Sequence, residues 1–569
     1  MLKKIFTYLV STKLWAWLFP VLLIVPNVAL AFTERDPFPA KITDIILPLG
    51  VYCLLMSLSR RVGRTMLWFL PVMIFAAFQI VLLYLYGESI IAIDMFLNVA
   101  TTNVAEVSEL LGNLTLSILI VVALYLPPII IGIVMMVKKR YGRVSDLIIP
   151  RRVGIVSTAT GIILLTCCYI FIPGYAVTRM LFPVNVMSNL ITAITRSVDT
   201  SKYYETSADF SFGSQSEHPD SLREIYVIVI GETARADNWQ LGGYDRDTNP
   251  RLAQRDELVF FNKTLSESNT THKSVPMLLT HLSAVNFGDS IRFVKGVIDA
   301  FAEAGYSTAF ISNQERNHSY IDFLGTCADT VDFARQDHGL RYDSRLVNPV
   351  NDVLAKQSAT KKELIVIHTY GSHFNYRERY DETSARFLPD NATEATSYNR
   401  RELINAYDNT IVETDALLDS LMCILDADST TVAALIYTSD HGEDIFDDGR
   451  ERFLHASPTP TFRQIHVPMI VWLSSGYRRL YPDAQAALKN NSDRNVSSSL
   501  SLFPTIVSLA GLKLKHNAPS SADLSSHFYT EPKRMYLNDY NEGLKLKDAG
   551  WREVDFEVCK DFGILYELS

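Results

Sequence analysis

The chain has 569 residues, 48% of them hydrophobic and 20% charged, with a formal net charge of −9. That length exceeds what one compact core serves, so two or more domains are expected. The modest negative charge and the lack of a basic stripe speak against nucleic acid as a partner, and six cysteines do not make a disulfide scaffold.

Apolar residues concentrate in the first third. Runs at about 14–32, 42–58, 66–86, 114–137 and 153–172 are close to the roughly 20 residues that span a bilayer. Five such runs in succession, without amphipathic period, predict an α-helical membrane domain of five spans over residues 1–174. Lys3, Lys4 and Lys13 precede the first run. Arg60, Arg61 and Arg64 follow the second, and six basic residues from Lys138 to Arg152 separate the last two. The alternate loops, 33–41 and 87–113, carry few bases, so the positive-inside rule puts everything after Ile172 outside the cytoplasm. Ala29-Leu30-Ala31 also reads as a signal-peptidase site. Cleavage there would leave four spans and the same placement of the C-terminal part; a retained anchor is the expectation. Cys53, Cys167 and Cys168 fall in spans, so Cys327, Cys423 and Cys559 allow at most one disulfide outside.

Residues 175–221 read as an amphipathic bridging segment followed by a polar linker. From 222 to 569, apolar runs alternate with helical patterns, with strands predicted at 225–230, 307–311, 364–367, 432–437 and 467–473. That alternation predicts an α/β domain with a mostly parallel sheet flanked by helices.

The strand ends carry the chemistry. The run 432–437 ends in Ser439-Asp440-His441-Gly442-Glu443, and the run 225–230 ends in Gly231-Glu232-Thr233. Open α/β sheets place their ligand crevice at the carboxyl ends of strands, and carboxylate with imidazole suits zinc. Thr271 lies between them in the chain, and acid, hydroxyl, then Asp-His is the order expected of a metal-activated hydroxyl nucleophile. Thr270 is adjacent, and spacing alone leaves open which threonine attacks. Five histidines fall at strand mouths (His368, His373, His441, His455 and His466), more than structural roles alone would suggest. His373 and His455 could hold a second metal or protonate a leaving alkoxide. Neither a Gly-x-Ser-x-Gly elbow nor a phosphate-binding Gly-Lys-Ser/Thr loop occurs, which disfavours a serine hydrolase and a nucleoside triphosphatase.

These residues resemble a known family, the membrane phosphoethanolamine transferases that decorate lipid A, within the alkaline phosphatase and sulfatase superfamily. The resemblance rests on Gly231-Glu232-Thr233-Ala234-Arg235-Ala236-Asp237-Asn238, on Gly243-Tyr244-x-Arg246-x-Thr248-Asn249-Pro250 and on Thr271-x-x-Ser274-Val275-Pro276. It continues in His368-Thr369-x-Gly371-Ser372-His373, Ser439-Asp440-His441-Gly442-Glu443, Leu454-His455 and His466-Val467-Pro468. It implies an alkaline phosphatase/sulfatase-like fold for 222–569, standing in the periplasm on a multi-pass bacterial inner-membrane protein. It implies phosphatidylethanolamine as donor, and lipid A or a related lipopolysaccharide or envelope glycan as acceptor. Glu232, Thr271, Asp440 and His441 match the family's ligands for one zinc, Thr271 being the residue that becomes modified, with His373 and His455 at the substrate or a second zinc. Asn98, Thr102 and Glu106 recur on one helical face in loop 87–113 and resemble the family's positions near the ethanolamine headgroup. A solvated face of an interfacial helix is the other reading of those three.

Departures are also plain. Two family cysteines that flank the nucleophile are replaced by Glu267 and Met277, so that disulfide is absent, and the family's phosphate-contacting lysine has only Arg316 or His318 to replace it. A phosphoglycerol transferase, or a membrane-anchored sulfatase or phosphodiesterase of the same superfamily, is the alternative. A sulfatase requires a C/S-x-P-x-R segment, which Thr271-His272-Lys273-Ser274 lacks.

Overall fold

The structure is a computed structural model that describes residues 8, 10–87, 90–101, 114–334, 342–356, 362–392, 394–516 and 521–564. It divides into two compact units, the first made of Met1–Phe96 and Val104–Ile194 and the second of Leu97–Asn103 and Thr195–Ser569.

In the first unit, helices Thr12–Thr33, Phe38–Ser57, Thr115–Val137 and Val144–Phe171 are long and apolar enough to cross a membrane. The predicted third span is a bent pair, Val62–Trp68 and Leu70–Tyr86, meeting at 54°; counted as one span it brings the total to five. Pro71 opens the second helix of that pair, and the lost N–H and ring bulk of proline favour a break there. The final helix starts at Val144 and runs through Pro150, so it exceeds the predicted 153–172. It packs closely on Phe38–Ser57 because glycine stands at the contact. A Cβ at Gly154 would lie 2.7 Å from Leu54 N, and one at Gly161 would lie 2.7 Å from Leu47 Cα. Between helices in lipid, such backbone approach replaces the missing hydrophobic drive. The amphipathic stretch after Ile172 contains helices Val177–Met180 and Val184–Ser201, and loop 87–113 contains helix Ile93–Thr101.

The second unit is built on a seven-stranded sheet. Its strands, in chain order, are β1 (Glu224–Gly231), β2 (Val259–Phe261), β3 (Ser307–Ser312), β4 (Thr330–Phe333), β5 (Lys362–His368), β6 (Val432–Ser439) and β7 (Met469–Leu473). They lie in the order β2-β7-β6-β1-β5-β3-β4. β6, β1, β5, β3 and β4 pair in parallel, whereas β7 runs antiparallel to both β6 and β2. The predicted strand at 467–473 is therefore real but reversed, and β2 and β4 were not anticipated because they are three and four residues long.

Every residue of β1 is buried. Tyr226, Ile228 and Ile230 enter one core with helices Thr271–Leu279 and Ser498–Leu509. Ile225, Val227 and Val229 enter the opposite core with helix Arg400–Leu425. Strands covered on both faces read as continuous apolar runs, as these do. Register then positions the site: Ile230 pairs with His368 and Thr438, and Gly231 pairs with Ser439. Glu232, Thr369 and Asp440 thus leave the sheet side by side.

Glu267, at a position where the resemblance implies a cysteine, is held in the interior by hydrogen bonds. Its carboxylate is 1% exposed. Oε2 accepts from Ala284 N at 2.9 Å and from Ser499 Oγ at 2.8 Å, while its carbonyl accepts from Leu537 N at 2.7 Å. Three separate segments are tied to the strand leading to the nucleophile. Burial pushes the Glu267 carboxyl up to about 7 against these bonds. A carboxyl raised by folding stabilises the protein below its unfolded value, and that contribution is lost as pH rises towards 7. Glu267→Gln should therefore flatten the pH dependence of the melting temperature between about pH 4.5 and 7 and remove a penalty of up to a few kcal/mol at pH 8, at roughly 1.4 kcal/mol per pKa unit. A pH series of melting curves on the full chain checks this, and a variant that melts earlier at pH 8 contradicts it.

Candidate active site

Thr271 is the first residue of helix Thr271–Leu279. Its Oγ1 lies 3.1 Å from Glu232 Oε1 and 3.1 Å from His441 Nε2. The helix end adds positive potential at that oxygen. Thr270, which spacing left as a rival, is 3% exposed and its hydroxyl meets Ser268 Oγ at 3.1 Å. Geometry separates the two threonines.

Three further atoms converge beside Thr271. His441 Nε2 is 3.2 Å from Asp440 Oδ2 and 3.5 Å from Glu232 Oε1. His441 Nδ1 is 3.0 Å from the Gly442 carbonyl oxygen, which can only accept, so Nδ1 carries the ring proton and Nε2 presents a lone pair. Asp440 Oδ1 is used by the backbone N–H groups of Thr233 and His441, at 3.0 and 2.7 Å, which turns Oδ2 towards the centre. Ligand atoms of Glu232, Asp440 and His441 all lie within 4.8 Å of one another, and all three side chains are buried.

Two carboxylates and an imidazole lone pair facing one another underground are unfavourable without a cation. Burial pushes Asp440 up to about 7. Burial, then the Asp440 charge, raises Glu232, and burial lowers His441. Protons would satisfy this set poorly, and a divalent metal fits it well, since the donors are oxygen, oxygen and nitrogen with the threonine oxygen adjacent.

Residues around the centre hold these groups in place. Gln314 Nε2 donates to Glu232 Oε2 at 3.0 Å and to the Thr369 carbonyl at 2.9 Å, and Thr233 Oγ1 donates to Glu232 Oε1 at 2.9 Å. Sequence reasoning passed over Gln314 and offered Arg316 or His318 for the family lysine. Of these, Arg316 stacks over the Phe333 ring at 4.7 Å, and His318 lines a separate cleft. Gly371 has a φ of 53°, and a Cβ there would come within 2.5 Å of the Glu232 carbonyl oxygen. Only glycine allows the loop after β5 to pass so close.

The histidines divide. The His455 ring centroid is 4.1 Å from that of His441 and 6.1 Å from that of His373, and its Nδ1 is 3.6 Å from Glu443 Oε1. Burial and the two neighbouring imidazoles hold His455 well below the usual histidine range. Glu443 is fully buried and raised well above the ordinary glutamate value, chiefly by that burial. Its role was not anticipated from sequence. His368 and His466, counted at the strand mouths, are structural. His368 is fully enclosed, with Nδ1 3.3 Å from Ser312 Oγ. His466 spends both ring nitrogens, on Asp237 Oδ1 at 2.7 Å and on the Asn262 carbonyl at 2.8 Å. Asn98 is half-buried on helix Ile93–Thr101, and Thr102 and Glu106 lie outside the described residues.

The longest motif proves to be scaffold. Arg235 pairs with Asp447 at 2.6 Å and donates to Asn238 Oδ1 at 2.6 Å. Asn238 Nδ2 donates to Asp408, which Arg246 and Tyr244 also reach, at 2.6 and 3.0 Å. Tyr407 hydroxyl closes the turn by donating to the Thr233 carbonyl at 2.7 Å and accepting from Arg235 N at 2.8 Å. These bonds hold the turn after Glu232 from below.

Gln314→Leu should lower affinity for a divalent metal roughly 10- to 100-fold, because the carboxylate ligand loses the donor that orients it. Competitive titration of the full chain against a chromophoric chelator reads this, and an unchanged affinity would mean Gln314 only packs.

The phosphoethanolamine transferase EptA of Salmonella typhimurium is 30% identical over 308 residues, covering 51% of this chain and 54% of that protein. The chain thus spans about half the length of the curated relatives it matches. The integral membrane lipooligosaccharide phosphoethanolamine transferase A of Neisseria meningitidis, at 22% identity and a TM-score of 0.71, covers 92% of this chain and 99% of its own and shares the fold. The C-terminal periplasmic domain of EptC from Escherichia coli, solved as a complex with Zn, is 25% identical with a TM-score of 0.52, covering 59% of this chain and 97% of that domain. The sulfatase family matches residues 224–512, slightly more than half of the chain, and the chain belongs to that family.

Proposed function

We propose that this chain is a membrane phosphoethanolamine transferase. It takes phosphoethanolamine from phosphatidylethanolamine and passes it, by way of Thr271, to a phosphate or sugar of lipid A or a related envelope glycan. The observation that carries this reading is the Thr271 hydroxyl at a helix N-terminus, 3.1 Å from both Glu232 and His441. Similarity to proteins named phosphoethanolamine transferases, one of them a Kdo(2)-lipid A phosphoethanolamine 7''-transferase, supports the transferred group and the acceptor class. Residues 1–174 anchor the chain in a bacterial inner membrane, 175–221 bridge, and 222–569 work in the periplasm.

Zinc is the metal that best suits the donors, with Glu232, Thr271, Asp440 and His441 as its ligands. When bound, it would acidify the Thr271 hydroxyl and offset charge on the phosphoryl oxygens. Thr271 Oγ1 attacks the donor phosphorus, the bond to the diacylglycerol oxygen breaks, and phosphoethanolamine remains on Thr271. An acceptor oxygen then attacks that phosphorus and Thr271 leaves. Two steps with one nucleophile let donor and acceptor use the site in turn. Neutral His455, with His373 beside it, suits taking a proton from an acceptor hydroxyl or holding a second ion. The donor's tails stay in lipid throughout, since each exposed CH₂ costs about 0.8 kcal/mol.

Membership of the sulfatase family does not carry sulfatase chemistry here, because threonine cannot become formylglycine. Phosphoglycerol transfer differs in the donor headgroup alone, so labelled donors separate it. Full-length protein incubated with phosphatidylethanolamine and no acceptor should yield a peptide carrying phosphoethanolamine on Thr271 by mass mapping. Thr271→Ala should show no adduct and lose transfer by roughly four orders of magnitude or more, while the domain keeps its fold and most of its metal. An unmodified Thr271 peptide under conditions of turnover would refute the two-step route.

A further inference from the structure

A cleft of about 400 Å³ opens in the second unit, lined in part by His272 and Lys273, the two residues that follow Thr271 in the chain. That volume is within the range small-molecule sites occupy. Arg196 and Arg292 enter from two further segments, and His318 from the loop that also carries Gln314. Against these, Asp199 is the one carboxylate among the described lining residues.

The cations are positioned rather than loose. Lys273 is 2% exposed, and its Nζ donates to the Asn538 carbonyl at 2.7 Å. Arg196 donates to the Asp539 carbonyl at 2.8 Å. Arg292 lies 3.4 Å from Asp199 Oδ2 and over the Phe293 ring at 4.7 Å. One wall is apolar, formed by buried Phe287 and Ile291. Long cations drawn from separate elements, beside an apolar wall, match a sugar that bears a phosphate.

We infer that this cleft binds a phosphomonoester of the acceptor and seats the acceptor beside modified Thr271, with Arg196 and Arg292 as the specificity-determining residues. The inference deepens the transferase reading and rests on it. A sugar lacking the phosphate forfeits the cationic contacts while keeping the apolar ones.

The test measures binding of glucosamine bearing one phosphate, unphosphorylated glucosamine and inorganic phosphate to full-length protein in detergent. It is run on wild type, Arg196→Ala/Arg292→Ala and Arg292→Lys. Expected is a loss of roughly tenfold or more for the sugar phosphate in the double alanine variant, little change for the plain sugar, and partial recovery of affinity in the lysine variant. Melting curves identify a variant that does not fold, in which case Arg292→Lys against Arg292→Gln decides. Equal affinity for the sugar phosphate in all proteins overturns the inference. Inorganic phosphate binding as tightly as the sugar phosphate, and equally sensitive to the arginines, also overturns it, since the cleft would then hold free phosphate. Failure of the transferase reading shows separately, as absence of the Thr271 adduct with donor alone.

Discussion

The rest of the second unit depends on one electrostatic constraint. Two carboxylates and an unprotonated imidazole nitrogen meet within 4.8 Å at a buried sheet edge. Left alone, that set pushes its own acids towards their neutral forms, as the raised Asp440 and Glu232 and the lowered His441 record. A divalent cation converts the same arrangement from a liability into a binding site. With such a cation bound, the threonine oxygen that shares the centre would gain what a hydroxyl otherwise lacks, a stabilised anionic form near neutral pH.

Keeping repelling groups together requires outside restraint, and much of the surrounding sequence supplies it. The backbone N–H groups of Thr233 and His441 fix one oxygen of Asp440, while Gln314 and Thr233 hold Glu232. Beneath them, Arg235, Asp447, Asn238 and Asp408 form a buried chain of charge-assisted bonds. Breaking one member of such a chain leaves a partner charge buried, which costs more than the pair contributes. Glu267 binds the nucleophile segment to its neighbours by hydrogen bonds where related proteins are expected to use a disulfide. A carboxyl can do this at the cost of pH sensitivity that a disulfide would not have.

The first unit follows a different logic. Its helices have no water to drive them together, and glycines at Gly50, Gly154 and Gly161 let two of them touch by backbone. Anchoring in lipid suits a donor whose tails cannot leave the bilayer. Under the proposed transferase reading, the second unit would contribute the chemistry and, through the cationic cleft that Lys273 lines, the means to select an acceptor.

The five apolar runs, the strands β1, β3, β5, β6 and β7, and the placing of Glu232, Asp440 and His441 just after strands were legible in the sequence. Each depends on local pattern: span length, period-free apolar runs, and ligand types placed just after a strand. Tertiary structure decided what register and packing control. It reversed β7, because a short apolar run carries no direction, and it added β2 and β4, which are too short to show a period. It separated Thr271 from Thr270 by the side to which each hydroxyl turns. It withdrew His368 and His466 from the site, since an imidazole after a strand serves equally as a buried structural bond. Finally, it brought Gln314 and Glu443 to the centre and gathered Arg196, Lys273 and Arg292 into one cleft. Apart from Glu443, which follows His441 by two residues, these residues are distant in the chain from the groups they meet, and only folding sets their distances.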